Sequence, residues 1–272
     1  MRLGGLKPQA VLFRFVDSGA DRMNVLGVGV SAIDMNQGLD RIDGWIRARE
    51  RHYVCVCPVH SIMECRRSPE VRAIFNGAGM VTPDGMPLVW IARLKGFQHV
   101  ERVYGPDLME AEMERSQVAR HRHFFYGGGP GVVERLADAM RRQFPSVDIV
   151  GAHEPPFASL DQLCTPQTAD LINTAKPDIV WVGMSSPKQD RWMARMRPAV
   201  DAPVLIAVGA AFDFLSGTVR QAPRWMRRSG LEWAYRLGTD PRRLWKRYLV
   251  DNPWFVWEMA LQMTGLRKFE LA

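Results

Sequence analysis

The chain has 272 residues, nearly half of them apolar and about a quarter charged, which is enough for one large α/β domain or one domain with a small appendage. No apolar run approaches the ~20 residues of a membrane-spanning helix, and the N-terminus lacks the basic, apolar and small-residue order of a signal peptide. The four cysteines, Cys55, Cys57, Cys65 and Cys164, complete no zinc pattern and read as reduced thiols packed in a cytosolic core.

In chain order, residues 1–21 show no period and read as a loose extension. Asn24–Val30 is the first expected strand. It carries Gly27-Val28-Gly29-Val30-Ser31-Ala32, which fits the relaxed dinucleotide pattern G-x-G-x-x-A. That fingerprint also needs an acid at the end of the next strand to hold a ribose. After the helical stretch Gln37–Arg49, the next strand, Tyr53–Cys57, runs into Pro58-Val59-His60 with no acid. A plain tight turn at Gly27 therefore outranks nicotinamide-dinucleotide binding.

Thr82-Pro83-Asp84-Gly85-Met86-Pro87 sets one carboxylate on a turn before the expected helix Met86–Leu94. An Asp there is either a helix cap or, at the mouth of a sheet, a base that deprotonates a hydroxyl. The strand His123–Tyr126 leads through Gly127-Gly128-Gly129-Pro130-Gly131 into the helix Gly131–Phe144. Glycines let backbone N–H groups approach an anion, and a helix N-terminus favours negative charge, so this loop suits a diphosphate. It lacks the Gly-Lys-Ser/Thr of a P-loop, which argues against ATP hydrolysis.

Further strands are expected at Asp148–Val150, Asp178–Gly183 and Val204–Val208, and further helices at Thr168–Ala175 and Lys188–Met196. The alternation indicates an α/β fold, a Rossmann-like and mostly parallel sheet flanked by helices, over residues 22–217. Pro203–Leu215, broken by Gly209 and Asp213, reads as a buried strand and turn.

After Leu215 the alternation stops. Residues 218–272 read as a helical appendage, with helices near Gly230–Leu237, Pro241–Val250 and Pro253–Thr264. This tail holds eleven Arg and Lys against five acids, so it carries +6 of the net +7, and it holds five of the nine tryptophans. Basic charge interleaved with indoles suits an anionic membrane surface. It suits diphosphate or nucleic acid as well. The chain contains no D-x-D, the pair with which many sugar-nucleotide transferases hold a divalent metal. Without it, a leaving diphosphate needs cationic side chains or helix N-termini.

Several stretches taken in order resemble the WecG/TagA/CpsF glycosyltransferase family: Thr82–Pro87, Arg102–Leu108, Tyr126–Glu134, Ile149–Phe157 and Pro177–Asp190. The series continues through Val208–Gly217, Arg220–Trp225, Gly230–Leu237 and Asp240–Tyr248. The resemblance implies a metal-independent, inverting transfer of a hexose-type sugar from a UDP-sugar to a polyprenyl-diphosphate-linked sugar. The setting it implies is exopolysaccharide or surface-polysaccharide assembly at the inner face of the cytoplasmic membrane. No cofactor, metal or nucleic acid is implied, and self-association is left open.

Carried over by position, Asp84 would be the base, and Arg236, Arg243 and Arg247 would neutralise the leaving UDP. Arg102, Lys188 and Gln189 would contact acceptor or donor. Gly127, Gly128, Gly129 and Gly131, with Phe157 and Asp213, would line the nucleotide site. Plainer readings stand beside these: Arg102 paired with Asp107 on the surface, Pro187-Lys188-Gln189 as a helix start, and appendage arginines serving the membrane alone. The chain departs from the family where many members place a Thr-x-Asn pair. Val56 and Pro58 stand there, with His60 nearby as either a polar contact or a packing residue. The rivals are a peripheral membrane or nucleic-acid-binding protein with an idle core, and a nicotinamide-dependent oxidoreductase.

Overall fold

The computed structural model describes residues 22–271, so the expected extension lies outside the described residues. The chain opens with a hairpin of β1 (Arg22–Val25) and β2 (Val28–Ser31). The main sheet is built from β3 (His52–Cys57), β4 (Met80–Pro83), β5 (Arg122–Gly127), β6 (Asp148–His153), β7 (Ile179–Gly183) and β8 (Val204–Ala207). Its order is β4-β3-β8-β7-β5-β6, and every pairing is parallel. This is the α/β fold read from the alternation.

Strands buried on both faces read as continuous apolar runs, and Val180-Trp181-Val182 and Leu205-Ile206-Ala207 do so with no exposed residue. Alternate side chains enter two separate cores. Cys55, Cys57, Val180, Val182 and Leu205 face one core with helices Val59–Arg67, Pro69–Asn76, Lys188–Met196 and Asn252–Met263. Val54, Val56, Ile179, Trp181 and Ile206 face the other, with helices Met35–Ala48, Gly105–Ala119 and Val132–Gln143.

Three features differ from the sequence reading. The single strand expected over Asn24–Val30 is a hairpin. Leu26 (φ 52°) and Gly27 (φ 87°) both take left-handed backbone between the paired Val25 and Val28, as a type I′ turn requires. The G-x-G pattern is thus the plain tight turn preferred from the sequence, in a hairpin away from the main sheet. Second, β4 and the helices Val59–Arg67, Pro69–Asn76 and Gly105–Ala119 add to the expected elements. β4 has four residues, all buried, too few to show alternation. The helix Gly105–Ala119 buries Glu112 and Ser116 beside Leu108, Met109 and Met113, and these polar residues interrupt its apolar stripe.

Third, the C-terminal helices are not all peripheral. Arg224–Arg228, Glu232–Thr239 and Pro241–Trp245 lead into a π-helical stretch, Lys246–Asp251, and then into Asn252–Met263. In that last helix Phe255 and Met259 belong to a core cluster, and Gln262 accepts from the Leu26 N–H at 2.9 Å. Glu258, buried, accepts from Arg66 at 3.0 Å and from Arg267 at 2.8 Å. No helix among the described residues is long and apolar enough to cross a membrane.

Candidate active site

The carboxyl ends of all six parallel strands open on one cavity of about 640 Å³. Pro58 and His60 follow β3, Asp84 follows β4, and Gly128 and Gly129 follow β5. Glu154 and Phe157 follow β6, Lys188 and Gln189 follow β7, and Val208–Asp213 follow β8. Arg236, Arg243 and Arg247 reach in from the C-terminal helices. Crevices at strand carboxyl ends are where open α/β sheets bind ligands.

Asp84 is held between sheet and outer helices. Burial raises its pKa to about 6, against the pull of Arg102 and Arg236 and with a push from Glu232 and Asp107. Its Oδ1 is buried without a hydrogen-bond partner, 3.6 Å from Arg102 Nη2. Arg102 donates through Nε to the Asp84 carbonyl and through Nη2 to Glu232 at 2.7 Å, and it stacks on Tyr104 at 4.1 Å. Asp107 pairs instead with Arg227 at 3.0 Å. A carboxylate that lines a cavity and is poised near neutrality can take a proton from a bound hydroxyl.

Three guanidinium groups from the C-terminal helices line the same cavity. Arg243 pairs with Asp240 at 2.5 Å, and Arg236 lies 3.9 Å from Glu232 and over the Phe214 ring at 5.5 Å. Arg247 has no carboxylate at ion-pair distance among the described residues. Burial, and the charges of Arg236 and Arg243, hold its pKa below the ordinary arginine range. Burial and Arg247 likewise lower His60 to about 3, so its imidazole is neutral, and both ring nitrogens lack hydrogen-bond partners. Such a wall favours an anion of more than one charge.

The glycine loop divides into distinct jobs. A β-carbon on Gly127 (φ 129°) would meet the Gly183 carbonyl oxygen at 2.5 Å, so Gly127 lets β5 and β7 close together. Gly128 and Gly129 line the cavity, whereas Gly127 and Gly131 do not. The Gly131 N–H donates to Glu154 Oε2 at 2.7 Å, which places a carboxylate at the start of the helix Val132–Gln143. Nearby, Phe157 is fully exposed, with Lys188 Nζ 5.4 Å from its ring centre and bonded to the Ala158 carbonyl at 2.6 Å. Gln189 is buried with Oε1 unpartnered, close to Gly209. Asp213, its pKa raised by burial against Arg243 and Arg236, completes this side.

A family model described as the glycosyl transferase WecG/TagA/CpsF family matches residues 23–269. The chain belongs to this family. It is 32% identical over 186 residues to a Bacillus spizizenii protein named N-acetylglucosaminyldiphosphoundecaprenol N-acetyl-beta-D-mannosaminyltransferase, a match covering 68% of this chain and 70% of that protein. A Bacillus subtilis (strain 168) protein of the same name is 30% identical over 176 residues, covering 65% of this chain and 66% of its own length.

In this glycosyltransferase the sequence-derived site residues Asp84, His60, Phe157, Lys188, Gln189, Asp213, Arg236, Arg243 and Arg247 share one cavity. Arg102 stands just behind Asp84. Val56 and Pro58 line the wall where the family places Thr-x-Asn, with His60 beside them. The sequence reading missed Glu232, Glu154 and Tyr104. Glu232 is one of only five acids in the basic tail, and that rarity was its one sequence signal. Among the described residues, the group spaced to hold a metal is Asp43, Glu112 and His121, which lies at the N-terminal end of β5, away from the cavity. There Arg115 already pairs with Asp43 at 2.7 Å.

Proposed function

We propose that this glycosyltransferase moves a hexose-type sugar from a UDP-sugar to a sugar carried on polyprenyl diphosphate, as a step in exopolysaccharide or surface-polysaccharide assembly. The observation that carries the reading is one cavity lined both by Asp84, whose carboxyl burial holds near neutrality, and by three arginines. Asp84 takes the proton of the acceptor hydroxyl as that oxygen attacks the anomeric carbon. The bond to UDP breaks on the far side, which inverts the centre. Arg236, Arg243 and Arg247 take up the charge of the departing diphosphate, the task a divalent metal performs in other sugar-nucleotide transferases. Phe157, Gly128, Gly129 and Asp213 hold the nucleoside.

The acceptor's lipid chain requires the cavity to open at a membrane surface, and the appendage 218–272 is the docking element in this reading. Trp225, Trp245, Trp254 and Trp257 are all exposed there among the basic residues. Indoles sit at the lipid–water interface, and each nearby Lys or Arg adds ~1 kcal/mol on an anionic leaflet.

The test is UDP release from a panel of UDP-sugars in EDTA, with and without an N-acetylglucosaminyl-diphosphate polyprenol. UDP-N-acetylmannosamine leads the panel because of the names of the two relatives. Acceptor-dependent release from one donor is the expected result. Folded protein that neither binds UDP nor turns over any donor would refute the reading.

A further inference from the structure

Glu232 belongs to the outer helix Glu232–Thr239, yet it is buried, with its carboxylate turned to Arg102 and Tyr104 of the core. Its Oε2 accepts from Arg102 Nη2 at 2.7 Å, and its Oε1 accepts from the Tyr104 hydroxyl at 3.2 Å. The same Arg102 nitrogen stands 3.6 Å from Asp84 Oδ1, beyond hydrogen-bond reach, and that oxygen has no other partner. One guanidinium nitrogen therefore faces two carboxylates from distant parts of the chain and is bonded to the outer one.

The anchors of Arg102 determine its response to a movement of the outer helices. Its Nε bond goes to the Asp84 carbonyl, within the core, whereas its Nη1 and Nη2 bonds go to the Arg227 carbonyl, at 3.2 Å, and to Glu232. Two of the three bonds thus depend on the C-terminal helices. Remove those helices and Arg102 keeps its place beside Asp84 but loses both outer partners. The Asp84 carboxylate is then the nearest acceptor, and a shift of less than about 1 Å makes a charge-assisted hydrogen bond, which is short and strong. A base held that way shares its lone pair with a fixed cation and accepts a proton poorly.

We propose that Glu232 is a positioning residue: when the C-terminal helices seat on the core, it draws the Arg102 guanidinium off Asp84 and so frees Asp84 to act as base. The inference rests on Asp84 being the base of the transfer. It makes activity conditional on a seated appendage, so that a nucleotide-sugar bound without the closed assembly meets a masked carboxylate.

The charged groups facing Asp84 are Arg102 and Asp107 from the segment after β4, and Glu232 and Arg236 from the outer helix, with the Cys57 thiol behind. Of these, Glu232 is the acid in direct contact with Arg102. Replacing it by Gln removes one negative neighbour of Asp84 and returns a cation to it. Both changes favour the ionised form.

The experiment follows the Asp84 carboxyl by 13C NMR across pH in the full chain with labelled aspartate, using D84N to identify the resonance. The wild-type midpoint is expected near 6, and E232Q is expected to lower it by about one pH unit or more. E232D, which keeps the charge, should leave the midpoint near the wild-type value. In the transfer assay E232Q should lose roughly tenfold in kcat, with donor KM little changed and its acid limb moved down together with the NMR midpoint. An unchanged or raised midpoint in folded E232Q would overturn the proposal. If E232Q does not fold, Y104F, which loosens only one hydrogen bond to Glu232, should give a smaller shift in the same direction, and no shift there would overturn it. A midpoint that moves while no donor turns over would uphold the coupling and count against the transferase reading.

Discussion

Replacing Asp84 by Asn tests the chemistry most directly, because burial has set this carboxyl apart from an ordinary one. With a pKa of about 6, Asp84 is almost wholly ionised at pH 8 and roughly one-tenth ionised at pH 5. The acid limb of kcat/KM should therefore centre near pH 6 and fall about tenfold by pH 5. An ordinary aspartate, near ~3.9, would lose almost nothing over that range. Asn cannot take a proton, so D84N should lose ~10²- to 10⁴-fold in kcat and lose the limb with it. The stability effect has the opposite sign. A carboxyl whose pKa is raised by folding disfavours the native state once ionised. That cost is absent below the unfolded pKa of ~3.9 and complete above the folded value. A gap of roughly two pH units between those values corresponds to about 3 kcal/mol, to an order of magnitude. D84N should then be at least as stable as wild type at pH 8, and a rise in Tm of several degrees is expected by thermal unfolding. Retention of a third or more of kcat in D84N, or a wild-type limb centred near pH 4, would refute the assignment.

R247A should weaken UDP binding roughly tenfold by calorimetry and flatten its dependence on salt, since Arg247 is half-buried in the cavity wall beside the like charges of Arg236 and Arg243, which an anion relieves. W254E with W257E should abolish co-sedimentation with anionic vesicles while leaving UDP affinity intact, because both indoles are exposed away from the cavity wall. His121 should stabilise the fold in a pH-dependent way. Burial opposes its charge, but the hydrogen bond and charge of Glu112, at 2.8 Å, and the charge of Asp43 hold its pKa above the ordinary histidine value. Its stabilisation is complete below the unfolded pKa of ~6.5 and is lost as pH rises through the folded value. The Tm gap between wild type and H121Q should accordingly be widest near pH 6, a few degrees for a contribution of about 1–2 kcal/mol, and should narrow in alkali.

How much of this was legible in the sequence depends on whether a signal was local. Strands β3, β5, β7 and β8 announce themselves because burial on both faces demands unbroken apolar runs, and glycine at Gly127–Gly131 announces a close approach of backbone. The core residues of the cavity were legible as motifs because each sits within a few residues of a strand end, whereas Arg236, Arg243 and Arg247 were legible through the basic tail. The G-x-G at Gly27 is the plain tight turn the sequence favoured, and the missing acid after β3 was what told the two readings apart. Glycine records a left-handed backbone, and a hairpin turn and a nucleotide turn demand the same thing of it. Glu232 and Glu154 were illegible because what matters is their partner. Glu232 meets Arg102 across 130 positions of chain, and Glu154 meets the Gly131 N–H across 23. The same separation explains why the tail read as an appendage. Its charge and indoles are local properties, whereas the packing of Phe255 and Met259 into the core, and the bond from the Leu26 N–H to Gln262, close contacts with the first strands of the chain. The consequence is functional. The segment that carries the three arginines is fixed to the core at both its ends, through Glu232 at Arg102 and through the helix Asn252–Met263 at the hairpin. Arg236, Arg243 and Arg247 lie between those anchors in the chain, so releasing either one alters how the arginines line the cavity they share with Asp84.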